Sequence, residues 1–203
     1  YTTLFRSPLG SIAAYKRGKA VDNMLVVLST AGIAVPSFLS STLLMYVLST
    51  KLHLLPSLGL NSAKSYIMPV MALALYPTFY IARLMRSSML DVIGQDYMRT
   101  ARAKGVSTFK SIFKHALRNS LIPVITYLGP LTAGIITGAL VVEQIYHIPG
   151  LGNYFVSSIL NRDYPIIMGT TLLLAALIIF MNFVVDIAYK LVDPRINIMK
   201  KGN

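Results

Sequence analysis

Cysteine is absent from the 203 residues, which excludes disulfides and thiolate metal sites. Acids are scarce. Only Asp22, Asp91, Asp96, Glu143, Asp163, Asp186 and Asp193 are present, most of them near the ends of apolar stretches. A proton or sodium relay through the middle of those stretches therefore has no carboxylate to run on. His53, His115 and His147 fall in different loops and read as solvated or helix-surface residues, not as metal ligands. No Gly-Lys-Ser/Thr phosphate loop occurs, and no serine has a base that could be proposed to activate it. The composition thus points to no catalytic residue, no cofactor and no metal.

The most telling absence is of charge over long runs. Residues 24–50, 65–82, 119–142 and 164–185 contain no Lys, Arg, Asp or Glu. Each is roughly 18 residues or longer, enough to cross a ~30 Å hydrocarbon layer as a helix. The hydrophobic fraction of 55% and mean hydropathy of +0.63 agree. Because lipid offers backbone groups no partner, such spans are helical. The fold class expected is all-α, a polytopic membrane helix bundle of four full spans plus a partial N-terminal helix. One transmembrane domain is expected over 1–203, with a cytoplasmic segment at 87–118 and an outer loop at 143–163.

What charge there is lies on one side. The net charge is +12, and with the loop after Tyr15 in the cytoplasm the following all fall inside: Lys16, Arg17, Lys19, Arg83, Arg86, Arg99, Arg102, Lys104, Lys110, Lys114, Arg118, Lys190, Arg195, Lys200 and Lys201. Only Lys51, Lys64 and Arg162 fall outside, the bias of the positive-inside rule. The C-terminus is then cytoplasmic, and the basic residues flank lipid instead of marking a nucleic-acid surface. The chain opens on Tyr1, and the apolar run 7–15 is too short to span. The expectation is a fragment that begins inside a helix, with residues 1–7 left open as native or foreign. No secretory signal precedes it.

Prolines interrupt the spans at Pro36, Pro69, Pro77, Pro123 and Pro130, where each removes a backbone donor. Gly134 and Gly138, four apart beside Ala133, Thr137 and Ala139, form a small-residue face for close helix packing, within this chain or against a partner. The segment 87–118 reads as two helices broken at Gly105. In the second, Val106, Phe109, Ile112, Phe113, Ala116 and Leu117 recur at helical spacing opposite Lys110, Lys114 and Arg118, with Ser107 as N-cap. The first, from Asp96 to Gly105, crowds Arg99, Arg102 and Lys104 around Tyr97, Met98, Ala101 and Ala103, with little sustained apolar face. A short polar helix of this kind needs something to pack on, which points to a soluble partner. The outer loop carries Pro149, Gly150 and Gly152 at one end and Asn161, Asp163 and Pro165 at the other, around a short apolar helix at 153–160.

Arg99-Thr100-Ala101-Arg102-Ala103-Lys104-Gly105, followed by His115-Ala116-Leu117-Arg118-Asn119-Ser120-Leu121-Ile122-Pro123, resembles the cytoplasmic signature of permease subunits in binding-protein-dependent ABC importers. The likeness is to the dipeptide, oligopeptide and nickel branch and its B-type subunit. Gly32-Ile33-Ala34-Val35-Pro36-Ser37-Phe38, the turn from Ile148 to Gly152 with Asn161 to Pro165, and Asp193-Pro194-Arg195 agree with it. The superfamily signature has Glu-Ala-Ala where this chain has Arg99, Thr100 and Ala101, and Leu-Pro where it has Leu117 and Arg118; the peptide branch is similar to this chain in both.

The resemblance implies a type I permease fold in a bacterial inner membrane. It implies that Asp96, Tyr97, Arg99, Thr100, Ala101, Arg102, Ala103, Lys104 and Gly105 couple to a cytoplasmic ATPase subunit, with Ala101 and Gly105 as packing positions. It also implies a second homologous permease, an extracytoplasmic solute-binding protein facing the outer loop, and a lipid bilayer around the spans. Such subunits usually have six spans, so a first helix and most of a second would be missing here. Short peptides are the substrate class implied, with nickel or another chelate as the alternative in the same branch. A secondary carrier would need charged or half-broken helices at mid-membrane, and a membrane enzyme would need a catalytic constellation.

Overall fold

The computed structural model describes residues 11–14, 17–107, 111–136 and 139–192, excluding the side chains of Arg102, Lys114, His115 and Arg118 and those beyond Ile187. Among the described residues every regular element is helical. The helices are α1 Ala20–Ala34, α2 Ser37–Leu44, α3 Ile67–Ile93, α4 Asp96–Ala103, α5 Leu117–Ile136, α6 Leu140–Tyr146, α7 Leu151–Leu160 and α8 Tyr164–Val192. A π-helical stretch, Met45–Lys51, continues α2, and another, Ser111–Ala116, leads into α5. Residues 1–7, Phe109, Lys110, Thr137, Gly138 and the Asp193-Pro194-Arg195 motif lie outside the described residues.

Among the described residues three helices are long and apolar enough to cross a membrane: Ala63–Ile93, Asn119–Ile136 and Tyr164–Ile187. The first uncharged run is not one straight helix. It is Ala20–Ala34 followed by Ser37–Lys51 with a bend of 96°, and counting that pair as one span gives four. The cause is Pro36, which holds extended dihedrals of −61° and 146° at the start of α2; it lacks a donor and disfavours helical geometry in the residue before it. The third run also differs from expectation. Its helix is described to Ile136, and Val142 belongs to the separate α6, where it is buried in a core of its own. The amphipathic segment after Gly105 is not a free helix either, since Ser111–Ala116 runs straight into α5.

The chain divides into two compact units, and the division falls within α1, α3, α5 and α8. One unit comprises residues 1–29, 80–129 and 182–203. Its α3 residues Ile81, Ala82, Met85 and Met89 are buried, one stripe at steps of three and four along a helix. Val124 of α5 is buried as well, and Tyr80 meets Tyr127 with ring centroids 4.4 Å apart.

The other unit comprises residues 30–79 and 130–181. Met68 and Ala72 of α3 with Val142 and Tyr146 of α6 form its core, and Leu44, Met45 and Leu48 pack on it. The Tyr146 hydroxyl donates to the Ser41 carbonyl at 3.0 Å, and the Tyr146 carbonyl accepts the Gly59 N–H at 2.9 Å. Gly32 lies flat against the Phe79 ring, in the space its own Cβ would occupy. The outward faces of α8 stay apolar and uncovered, with Leu172 67% and Ile179 70% exposed, as expected of a surface that faces lipid.

The candidate coupling helix and the outer loop

The Asp96–Gly105 segment folds as one short helix with a defined start and stop. Gln95 opens α4: its carbonyl accepts the N–H of Met98 at 3.1 Å and of Arg99 at 3.4 Å. Asp96 in the first turn suits the positive end of the helix dipole. At the other end the Val106 N–H reaches the Ala101 carbonyl at 3.2 Å, and Gly105 has φ +78°. That is a Schellman stop, with a glycine in the left-handed conformation where other residues are strained.

The faces of α4 are sharply different. Met98 is fully buried, Ala101 is half-buried, and Asp96, Tyr97, Arg99, Thr100, Ala103, Lys104 and Gly105 are exposed. The helix packs against Ser111–Ala116, where Ile112 and Ala116 are buried too. The chain itself thus supplies one packing surface, through a single methionine that the crowding of charge concealed in the sequence. The Thr100 hydroxyl donates back to the Asp96 carbonyl at 3.1 Å, and Arg99 approaches Asp96 at 3.7 Å, an exposed pair of little energetic weight. Asn119 of α5 donates its side-chain N–H to the Tyr97 hydroxyl at 2.9 Å. The polar face of Arg99, Thr100 and Lys104 is left turned to the surroundings, and a Cβ built on Gly105 meets nothing within 4 Å.

The segment 143–163, in the second unit and expected to be an outer loop, is organised around a residue the sequence did not single out. Glu143 is 8% exposed, and its carboxylate accepts the Asn153 N–H at 2.9 Å, capping the first turn of α7 from outside. Gly150 and Gly152 make the room. A Cβ on Gly150 would overlap the Glu143 carboxylate, and one on Gly152 would stand 2.9 Å from its Oε2. The only available signal was the pair of glycines themselves, since nothing in the spacing names the acid they accommodate. Burial pushes the Tyr146 phenol in the same loop region up to about 12, so it is a neutral donor.

Both ends of the loop helices stop on side-chain-bearing residues in the left-handed region. At the end of α6, His147 has φ 52°, with Ile148 N–H on the Glu143 carbonyl at 2.8 Å and His147 N–H on the Gln144 carbonyl at 3.3 Å. At the end of α7, Arg162 has φ 57°, with Asp163 N–H on the Ser158 carbonyl at 2.8 Å. Asp163 then caps α8, accepting the Ile166 N–H at 3.3 Å, while Pro149 and Asn161 are exposed. The helix begins at Leu151, two residues before the expected start, because Gly150 in extended conformation is its N-cap.

A cavity of about 240 Å³ lies beside this loop, lined by Leu140, Leu151, Phe155, Leu174 and the threonines Thr170 and Thr171. Both hydroxyls turn back onto their own helix, on Ile166 and Ile167 carbonyls, so the cavity is apolar in effect. Gly134, on an exposed face of α5, has no atom within 4 Å of a Cβ built there. Among the described residues no three His, Asp or Glu side chains cluster closely enough to hold a metal.

The family described as binding-protein-dependent transport system inner membrane component matches residues 6–198. The chain belongs to this family. It is 52% identical over 194 residues to the dipeptide transport system permease protein DppB of Bacillus subtilis, covering 96% of this chain and 63% of that protein. It is 40% identical over 196 residues to the DppB protein of Lactococcus lactis, covering 97% and 65%. With the oligopeptide transport system permease protein OppB of Escherichia coli K12 it shares 42% over 189 residues, covering 92% and 62%. The chain therefore spans somewhat less than two thirds of the length of these relatives. Family membership and the apolar helices together make it a multi-pass membrane protein, and the relatives named, dipeptide and oligopeptide permeases, agree with the resemblance to B-type subunits.

Proposed function

We propose that the chain is the membrane-spanning permease part of an ATP-driven importer of short peptides, and that α4 is the helix by which a cytoplasmic ATPase moves it. The observation that carries this reading is the construction of α4. It is anchored from below by Met98, stopped at Gly105, and leaves Arg99, Thr100, Ala103 and Lys104 exposed, while Tyr97 is held by Asn119 at its edge. A basic, shallow face backed by a rigid anchor suits a cleft with an acidic rim. ATP hydrolysis belongs to the partner on this reading, and the chain contributes no catalytic residue.

The outer loop, held by Glu143 and bounded by Pro149, Gly150, Gly152, Asn161 and Asp163, faces an extracytoplasmic solute-binding protein in this assembly. The small-residue stretch of α5 at the exposed Gly134 meets a second homologous permease, and the pathway runs between that subunit and this chain. The distribution of Lys and Arg supports a cytoplasmic C-terminus in a bacterial inner membrane. Peptides stand before nickel or another chelate because the relatives named above are peptide permeases.

The test uses the chain with its upstream sequence in its native membrane, gently extracted and analysed by mass spectrometry beside Gly105→Asp. ATPase subunits and a second permease should accompany the parent, and the ATPases should be lost from the variant while membrane insertion persists. A lone chain or homo-oligomer from the parent, under conditions that preserve comparable complexes, would overturn the importer reading in favour of a carrier.

A further inference from the structure

Asp22 and Arg86 are 64 residues apart and neither belongs to α4 or the outer loop, yet they form the most deeply buried charge contact among the described residues. Asp22 is 2% exposed. It is the third residue of α1, whose first turn is set by the Lys19 carbonyl accepting the Asp22 N–H at 3.0 Å and the Asn23 N–H at 3.1 Å. Its carboxylate holds three donors: the Gly18 N–H at 2.9 Å, one terminal Arg86 nitrogen at 2.8 Å, and the Arg86 Nε. The side chain thus closes the turn that leads into α1 and takes the guanidinium fork at the same time.

Arg86 lies on the last third of α3, between the buried Met85 and Met89. From there α3 runs to Ile93 and passes into α4 through a turn that stays hydrogen-bonded. The Gly94 N–H meets the Leu90 carbonyl at 3.3 Å, and the Gln95 N–H meets the Val92 carbonyl at 3.1 Å. A buried ion pair is a poor device for stability alone, because desolvation cancels most of the attraction and an apolar pair does as well. What a two-pronged carboxylate–guanidinium contact supplies is fixed orientation and register. Here it fixes the start of α1 against the stretch of α3 that carries α4.

We propose that Asp22 and Arg86 are positioning residues that join the start of α1 to the end of α3, so that displacement of α4 by the ATPase moves both helices as one body. The inference rests on the reading of α4 given above. Without the pair, α4 still binds its partner, but the motion is dissipated between α1 and α3 and less peptide crosses for each ATP hydrolysed.

These 203 residues contain no cysteine, so with any cysteines elsewhere in the assembly replaced by serine, two introduced thiols allow a direct test. The full-length protein, with its partner subunits, is reconstituted in vesicles as the parent, as Asp22→Cys/Arg86→Cys and as Arg86→Lys. Uptake of labelled alanylalanine and ATP hydrolysis are measured together. In the reduced double variant, uptake per ATP should fall roughly tenfold, within the span usual for coupling between sites, with ATPase subunits still bound. A short, reducible bis-thiosulfonate linker between the two thiols should return it to within about twofold of the parent. Arg86→Lys keeps the charge but loses the fork, and should lower the same ratio with assembly unchanged. Parent-like uptake per ATP in reduced double variant and in Arg86→Lys would overturn the proposal, and so would a linker that blocks uptake. Failure of the importer reading shows separately, as a parent with no ATP-dependent uptake.

Discussion

The Glu143 carboxylate accepts the Asn153 N–H at 2.9 Å, in a space that exists because neither Gly150 nor Gly152 has a side chain. One acid in the first turn of α6 thereby ties that helix to the start of α7 across a turn that proline and glycine shape.

That contact predicts an order among substitutions. Glu143→Ala leaves the first turn of α7 uncapped and should cost about 1.5–3 kcal/mol, the range for hydrogen bonds to charged groups. Glu143→Gln keeps an acceptor of the same shape and should cost less. Gly150→Ala drives a methyl into the carboxylate and should cost about 1–3 kcal/mol by overpacking. Hydrogen exchange at the Asn153 amide reports all three; equal protection in every variant would show that the cap carries no weight.

Gly105 separates backbone strain from partner contact. Its φ of +78° makes Gly105→Ala cost about 1–2 kcal/mol through the left-handed conformation, whereas Asn tolerates that region. Nothing lies within 4 Å of a Cβ there, so Gly105→Asn should leave the isolated chain as stable as the parent. If the ATPase packs on this position, Gly105→Asn and Gly105→Asp should both lose the ATPase in co-purification. Retention by Gly105→Asn with loss by Gly105→Ala would assign the glycine to the turn alone.

Tyr146 lies in α6, outside the spans, and its hydroxyl donates to the Ser41 carbonyl at 3.0 Å. Tyr146→Phe should cost about 1 kcal/mol, the net worth of one hydrogen bond. Its folded-state value of about 12 stands above the ordinary 10.0, so the contribution of the neutral phenol is complete below 10 and lost as pH rises through 12. The difference between parent and variant in thermal unfolding should therefore be flat from about pH 6 to 9. A difference that titrates in that window would mean another group supplies it.

Gly32 and Phe79 form a packing pair in which the ring fills the place of a Cβ. Gly32→Ala should destabilise by about 1–3 kcal/mol, and Phe79→Leu should relieve part of that cost. A double-mutant cycle measures the coupling, expected at about 0.5–3 kcal/mol for residues in contact; additivity would show that the two do not touch in the membrane.

Much of the architecture was legible because its causes are local. Uncharged runs of sufficient length become helices in lipid wherever they occur, and Gly105 and Pro36 act on the backbone at their own positions. Pro36 reads as an interruption, yet the size of the bend it permits, 96°, is not legible, because proline frees a carbonyl without dictating the angle. Met98 shows the limit on the other side. A single apolar residue among charges makes no pattern, and its burial became visible only when Ser111–Ala116 was found beneath it.

The sequence by itself determined that this is an all-helical membrane chain, which ends of its spans carry the positive charge, and which family its motif at 99–123 belongs to. Those follow from composition, run length and residue order, none of which needs a neighbour distant in the chain. Only the tertiary structure decided that Asp22 takes Arg86 across 64 residues and that Tyr146 takes Ser41 across 105, or which of seven acids are buried and what they hold. The physical reason is that burial and pairing depend on which helix faces meet. Spacing along one helix states which residues share a face, but it carries no record of the face that will be set against it.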